Sequence, residues 1–245
     1  MESMSGKTAV VTGASSGIGR AIALNFARQG AIVYILGRSL PSLQLVADQA
    51  RAAASDARML TCVTDLDDAE AIKATAAFLA REAGAIDILV HSAAIHATGA
   101  LQIAPVEDLD ALYRVNVRAP YLLTQLLLPR LKSARGQIVF INSSQGISAT
   151  AHVGLYAASK HALRAIADSL RDEVNVDGIR VLSVFLGRTA TPTIERLYRS
   201  ENRKYDPAVL LQPEDVAVAV SNSLCLPRTA ELTNLTLRPL AKSYS

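Results

Sequence analysis

The sequence predicts an α/β fold, a three-layer α/β/α sandwich around a doubly wound, seven-stranded and mostly parallel sheet. Short apolar runs alternate with longer segments of helical period, which is typical of a parallel sheet covered by helices on both faces. Half of the 245 residues are hydrophobic and 19% are charged, which suits one large core. The first apolar run leads directly into a glycine-rich turn, a feature of ligand-binding sheets of this kind.

Seven strands are predicted in chain order, each as a short apolar run bounded by turn residues. They cover 8–12, 32–36, 59–63, 86–92, 137–143, 179–185 and 231–237. Right-handed helical crossovers between parallel strands join them into one sheet. We therefore expect a single domain over residues 1–245.

The helical segments carry boundary signals. The segment 17–29 stops before Gly30, a favourable residue just beyond a helix end. Pro213 stands at a first helical position, where its missing N–H costs nothing. In the segment 108–133, Pro120 predicts a kink and Pro129 predicts the helix end.

Charge, cysteine content and hydropathy exclude several function classes. The net charge of +3 is small and dispersed, which argues against a nucleic-acid partner. Cys62, Cys225 and the four histidines show no ligand spacing, so no metal site is predicted. The chain has neither a signal-peptide core nor a run of about 18 apolar residues. We expect a soluble, cytoplasmic protein without a membrane partner.

The glycine-rich turn lies in "VVTGASSGIGRAI" (10–22), between the first strand and the first helix. Gly13 suits a tight turn, Gly17 allows close backbone approach to a pyrophosphate, and Gly19 allows close packing of helix on strand. The free N–H groups and positive dipole of the helix start favour phosphate. The spacing is G-x-x-x-G-x-G, and a purely structural turn is the alternative.

The chain resembles the single-domain short-chain dehydrogenase/reductase family over about residues 7–238. "TGASSGIG" is followed by Asn116 in "RVNVRAP", by Ser143 in "INSSQG" and by Y-x-x-x-K at Tyr156 and Lys160. The resemblance implies a Rossmann-like fold and an NAD(P)-dependent oxidoreductase that acts on a small-molecule carbonyl or alcohol. It also implies a homodimer or homotetramer, with subunit contacts through the helices of 108–133 and 154–175.

Tyr156 and Lys160 are four residues apart, so they share one face of a helix. A phenol lying over an aliphatic stem at the surface is the alternative to a catalytic pair. An ammonium at ~4 Å with an effective dielectric of ~20 lowers the pKa of a phenol by about 3 units. Together with a positively charged nicotinamide, it would bring the Tyr156 pKa towards neutrality, although burial opposes this.

The resemblance assigns a role to each of these residues. Tyr156 is the general acid/base, Ser143 binds the same substrate oxygen, and Lys160 lowers the Tyr156 pKa and holds the nicotinamide ribose. Ser143 precedes the tyrosine by the family's thirteen residues, and its neighbour Ser144 is the weaker candidate. Asn116 would hold a water against the lysine, with an ordinary buried or capping Asn as the alternative.

The second strand ends in "YILGRSL", at the edge that faces the adenosine ribose in sheets of this kind. Gly37 stands where an acidic residue would bind the 2′-hydroxyl of NAD. Arg38 can hold the 2′-phosphate of NADP through two charge-assisted hydrogen bonds, with Ser39 beside it. This favours NADP(H), with NAD(H) as the alternative; a solvated loop arginine is the non-functional interpretation.

The resemblance implies further cofactor contacts. Asp65 would accept a hydrogen bond from the adenine amino group, unless it is only an acid near a helix start. Other cofactor-binding residues are predicted at Ser15, Ser16, Ile18, Leu66, Ala93, Ala94, Thr189 and Thr191. The family's Asn-Asn-Ala-Gly is replaced by His91, Ser92, Ala93 and Ala94, which puts cofactor affinity in question more than the chemistry. His91 would either tie neighbouring strands together or pack.

The segment 187–211 follows a strand's carboxyl end and matches neither period, so it is predicted to be a substrate lid. Its mixed charges favour a solvated helix face over recognition of an acidic substrate. His96, Gln145, His152 and Tyr198 are candidates for lining the pocket, but a plain loop or packing role is favoured for each. The alternatives to a carbonyl reductase or alcohol dehydrogenase are a reductase of 3-oxoacyl groups on a carrier protein and a non-catalytic NADP(H) sensor.

Overall fold

The computed structural model describes residues 3–240, and its centre is one sheet of seven strands in the order β3-β2-β1-β4-β5-β6-β7. The strands are β1 Thr8–Thr12, β2 Ile32–Gly37, β3 Arg58–Val63, β4 Ile88–His91, β5 Gln137–Ser143, β6 Arg180–Leu186 and β7 Asn234–Leu237. All neighbouring strands pair in parallel. The predicted fold class is confirmed, and the sheet is wholly rather than mostly parallel.

Eight α-helices accompany the sheet within residues 3–240. They are α1 Gly17–Arg28, α2 Leu40–Ala53, α3 Ala69–Glu82, α4 Val106–Tyr113, α5 Ala119–Ala134, α6 Gly154–Val174, α7 Pro192–Ser200 and α8 Pro213–Leu224. Buried side chains of α1, α2 and α8 pack on one face of the sheet, and those of α3, α5 and α6 pack on the other. The two apolar cores explain why the strands are continuous apolar runs without polar alternation.

The long segment before β5 departs from the prediction. A five-residue π-helical stretch, Arg114–Arg118, separates α4 from α5, and Pro120 follows it in the first turn of α5. Pro129 does not end the helix, which continues to Ala134. Leu127 and Leu131 on either side of Pro129 are fully buried, and their burial outweighs the one backbone hydrogen bond that a proline removes.

No helix within residues 3–240 combines the length and the apolar character that crossing a membrane requires.

Candidate active site

The carboxyl ends of the strands form one large cleft, where the strand order reverses between β1 and β4. Open sheets bind their ligands at this switch point. The cleft has a volume of about 460 Å³, within the usual range of ligand sites. The predicted residues that line it are Gly13, Ser15, Ser16, Gly17, Ile18, Gly19, Arg38, Asp65, Leu66, Ala93, Ala94, Ser143, Tyr156, Lys160, Thr189 and Thr191. Ser39 and Asn116 do not line it.

The glycine-rich turn is held by close backbone contacts. Gly13 has φ +65°, and a Cβ there would lie 2.7 Å from the Cα of Ala93. A Cβ on Gly19 would lie 2.5 Å from the carbonyl oxygen of Gly13. Because no side chain fits at either position, the start of α1 lies directly against the end of β1 and faces the cleft.

The first turn of α1 is well suited to an anion. Its N-cap residue, Ser16, makes no side-chain capping hydrogen bond, and the first turn contains no acidic residue. The N–H groups at a helix start have no partner within the helix and carry the positive end of its dipole. These features fit the pyrophosphate of a dinucleotide.

Arg38 follows β2 directly and lines the cleft. Ser39 instead begins α2 as its N-cap residue: its hydroxyl accepts a hydrogen bond from the Ser42 N–H at 3.4 Å and lies 3.0 Å from the Ser42 hydroxyl. Asp65 lines the cleft, and its carboxylate accepts a hydrogen bond from the Asp67 N–H at 3.0 Å. A cation therefore stands at the end of β2 and a carboxylate just beyond β3.

Tyr156 and Lys160 lie in the first two turns of α6 and face the cleft together. The ammonium of Lys160 is 5.8 Å from the centre of the Tyr156 ring and donates a hydrogen bond to the carbonyl of Ile141 at 3.1 Å. Ser143 ends β5 on the same side of the cleft, and its hydroxyl accepts a hydrogen bond from the Gln145 N–H at 3.2 Å. Two elements, α6 and β5, thus bring a phenol, an ammonium and a hydroxyl to one place.

Burial controls the ionisation of this pair in the polypeptide itself. It raises the pKa of Tyr156 to about 12, and a hydrogen bond with Ser143 works in the opposite direction. Burial also lowers the pKa of Lys160 to about 8. The expected approach of the Tyr156 pKa to neutrality is therefore not a property of the polypeptide alone, because desolvation of the phenol outweighs its hydrogen bond with Ser143.

Asn116 lies in the π-helical stretch and is almost fully buried. Its carbonyl oxygen accepts from the Ile95 N–H at 2.9 Å, and its amide donates to the Ile95 carbonyl at 3.0 Å and to the Ser159 hydroxyl at 3.2 Å. Asn116 thus joins the loop after β4 to α6, one residue before Lys160.

Hydrogen bonds and a ring contact hold the residues that replace the family's Asn-Asn-Ala-Gly. The hydroxyl oxygen of Thr12 accepts hydrogen bonds from the N–H groups of Ser92 and Ala93, at 3.0 and 3.1 Å. The buried ring of His91 lies 2.8 Å from the Thr124 hydroxyl and stacks on Phe140 of the neighbouring strand. Burial lowers the pKa of His91 to about 3, so this ring is neutral at physiological pH.

His96 is a cleft residue that the sequence interpretation assigned to a plain loop. Its ring lies 4.3 Å from the ring of Tyr156, measured between centres, and it lines the cleft. Burial lowers the His96 pKa, while the carboxylate of Glu201 raises it and Lys160 lowers it further. Its position just after the carboxyl end of β4 was the available signal, since side chains there face the cleft.

The other residues considered with His96 have structural contacts. Gln145 and His152 do not line the cleft. Tyr198 is buried between the guanidinium groups of Arg188 and Arg203, at 4.9 and 5.2 Å from its ring centre. The prediction of packing roles agrees with these contacts.

The two ends of the segment 187–211 meet through backbone hydrogen bonds. The Ala190 N–H donates to the Leu211 carbonyl at 2.8 Å, and the Leu211 N–H donates to the Arg188 carbonyl at 3.2 Å. Thr191 caps α7 by accepting from the Ile194 N–H at 3.3 Å. This arrangement places α7 along the cleft.

Known proteins share this sequence and this architecture. The family model described as short chain dehydrogenase matches residues 7–202. An uncharacterized oxidoreductase of Staphylococcus aureus is 31% identical over 241 residues, which cover 98% of this chain and 100% of that protein. Glycine betaine reductase of Emericella nidulans is 32% identical over 241 residues; the match covers 96% of this chain but 19% of that much longer protein.

A solved structure extends the comparison to the whole fold. The crystal structure of a metagenomic short-chain oxidoreductase in complex with NADP has 30% sequence identity and a TM-score of 0.84, and the match covers 98% of this chain and 100% of that one. These similarities extend over nearly all of the chain and include the nucleotide-binding cleft. The chain therefore belongs to the short-chain dehydrogenase/reductase family, as an oxidoreductase with a Rossmann-like fold that binds a nicotinamide dinucleotide.

Proposed function

We propose that this enzyme uses NADP(H) to interconvert a small-molecule carbonyl and an alcohol, with Tyr156 as the general acid/base. The convergence of Tyr156, Lys160 and Ser143 at one wall of the cleft carries this proposal. The glycine-rich turn and the uncapped start of α1, at the end of β1 in the same cleft, support the binding of the dinucleotide.

The cofactor supplies the hydride in reduction and accepts it in oxidation. Tyr156, whose high pKa keeps it protonated, donates a proton to the carbonyl oxygen as negative charge develops there. Ser143 donates a hydrogen bond to the same oxygen. Lys160 stabilises the resulting phenolate. Asn116 holds the loop after β4 against the start of α6 through its hydrogen bonds to Ile95 and Ser159. In oxidation, the phenolate of Tyr156 is the base.

The preference for NADP(H) rests on the end of β2. Gly37 offers no carboxylate that would repel a 2′-phosphate, and Arg38 faces the cleft. The similar metagenomic oxidoreductase was solved with NADP. We assign adenine recognition to Asp65 and orientation of the nicotinamide to Thr189 and Thr191.

The remaining predictions concern the lid and the assembly. We propose that one domain carries the whole site and that 187–211 closes over bound substrate. We further propose a homodimer or homotetramer through α5 and α6. Tyr121 and Leu126 of α5, which are 50% and 36% exposed, supply apolar surface for that contact. Light scattering after gel filtration should give a multiple of the 26.0 kDa chain mass.

The cofactor assignment is tested by measuring kcat/KM for NADPH and NADH over a panel of aldehydes, ketones and 3-oxoacyl thioesters. We expect turnover with NADPH to exceed that with NADH, and Arg38→Gln to reduce this preference by roughly tenfold or more, the value of a charged phosphate contact. A matched variant, Arg28→Gln, at the last residue of α1 and outside the cleft, should leave the preference unchanged. Faster turnover with NADH in the wild type would overturn the assignment.

A further inference from the structure

The segment 187–211, which contains α7, carries several arginines that differ in their ion pairing. Arg199 pairs with Glu195 one turn away, at 2.7 Å. Arg188 and Arg203 both approach Glu201, at 3.7 and 3.5 Å. The pair of Arg199 and Glu195 satisfies the charge of a solvated helix face and calls for no ligand. Arg188 and Arg203 share the Glu201 carboxylate and lie on the ring of Tyr198, although Nη1 of Arg188 is buried without a hydrogen-bond partner within residues 3–240.

Arg196 differs from these neighbours in both position and partner. It lines the cleft, whereas Arg188, Arg199 and Arg203 do not. Within the described chain, residues 3–240, it forms no ion pair, and its guanidinium donates one hydrogen bond, to the Thr193 hydroxyl at 3.3 Å. The remaining donors of its planar fork are available to a ligand in the cleft.

The surroundings of Arg196 restrict what that ligand can be. The cleft also contains the reacting pair, Ser143 and Tyr156, and the ring of His96, which lies against the ring of Tyr156. The carboxylates that line the cleft, Asp65 and Asp67, belong to the segment after β3. The lid thus offers the cleft a cation that has no ion pair among residues 3–240. An arginine in that state is suited to bind a carboxylate or phosphate group.

We propose that Arg196 is a specificity-determining residue that binds an anionic oxygen group of the substrate while its carbonyl reacts at Tyr156. The substrate class is then an oxo acid or the corresponding hydroxy acid, with carboxylate or phosphate as the charged group. This inference rests on the proposed function, since it places the reacting carbonyl beside Tyr156.

Matched substrates test the inference. A series of oxo acids, their methyl esters and phosphorylated oxo compounds is compared by kcat/KM with NADPH for the wild type, Arg196→Gln and Arg199→Gln. We expect the wild type to prefer the charged members, and Arg196→Gln to reduce the acid-to-ester ratio by roughly tenfold or more, mainly through KM. Arg199 lies on the same helix outside the cleft, so Arg199→Gln should keep the wild-type ratio.

Two further measurements distinguish a failure of this inference from a failure of the proposed function. NADPH affinity, from calorimetric titration, should be equal in the wild type and Arg196→Gln. A weaker NADPH affinity with an unchanged acid-to-ester ratio would place Arg196 on the cofactor and overturn the inference. Calorimetric titration of the acid into the NADP-bound protein tests binding without turnover, and equal acid affinity in both proteins would also overturn it. Absence of turnover with every carbonyl would contradict the proposed function instead.

Discussion

Acid should destabilise this protein through His91, the residue that replaces the family's Asn after β4. The ring is 5% exposed, lies 2.8 Å from the Thr124 hydroxyl and stacks on Phe140. Burial lowers its pKa from 6.5 to about 3. The folded state therefore binds fewer protons than the unfolded state between these two values, so stability is retained above pH 6.5 and falls as pH falls towards 3.

The size of the effect follows from this window. Each pH unit within it costs about 1.4 kcal/mol of unfolding free energy, because the unfolded chain gains a proton that the buried ring does not. Between pH 7.5 and pH 4.5, His91 alone should remove about 3 kcal/mol. His91→Asn has no titrating ring and should lose that much less over the same interval.

Urea unfolding at the two pH values, followed by circular dichroism, gives the four free energies that are needed. Carboxylates titrate in both proteins and cancel in the comparison. His152→Asn is the control, because His152 is exposed and its backbone, with φ +67°, is one that Asn tolerates; its loss on acidification should match the wild type. If the wild type and His91→Asn lose the same unfolding free energy on acidification, the inference that the buried His91 ring is neutral is wrong. His91→Gln provides the same test if the Asn variant does not fold.

Three other substitutions probe the site. Gly13→Ala should abolish cofactor binding and lower the melting temperature, since its Cβ would lie 2.7 Å from the Cα of Ala93; normal NADPH affinity in that variant would refute the close packing. Thr12→Val removes the acceptor for the Ser92 and Ala93 N–H groups and should cost about 1–3 kcal/mol in urea unfolding, whereas a neutral effect would show that these groups find other partners. Ser143→Ala should lower kcat by roughly 100-fold with little change in NADPH affinity, as expected for a lost hydrogen bond to the developing oxyanion; an unchanged kcat would exclude that role.

The strands were predictable because buried parallel strands are continuous apolar runs. In two strands that are shorter than predicted, a side chain replaces the backbone as the hydrogen-bond partner of the neighbouring strand. The predicted strand 231–237 begins only at Asn234, and the Glu231 carboxylate accepts the Val181 N–H at 2.8 Å. The strand predicted to reach Ser92 stops at His91, because the Ser92 N–H donates to the Thr12 hydroxyl. Side-chain competition of this kind leaves no periodic signal.

The site also has a part that sequence motifs predict and a part that they do not. Motif spacing placed the glycine-rich turn, Ser143, Tyr156 and Lys160 in one cleft, because strand ends of a doubly wound sheet meet there. It did not reveal the contact between the rings of His96 and Tyr156, or that Arg196 lines the cleft without an ion pair among residues 3–240, because both depend on contacts between distant segments. The π-helical stretch that holds Asn116 was also missed, since the helical period continues through it.

The most direct test of the central claim is the rate of NADPH oxidation by Tyr156→Phe, measured with the best carbonyl substrate at saturating cofactor. Phe keeps the ring that packs against His96 and removes only the proton donor. We predict that kcat falls by about 100-fold or more while NADPH affinity is retained, and that Tyr113→Phe, on exposed surface at the end of α4, behaves like the wild type. Turnover by Tyr156→Phe at the wild-type rate would contradict the assignment of Tyr156 as the general acid/base.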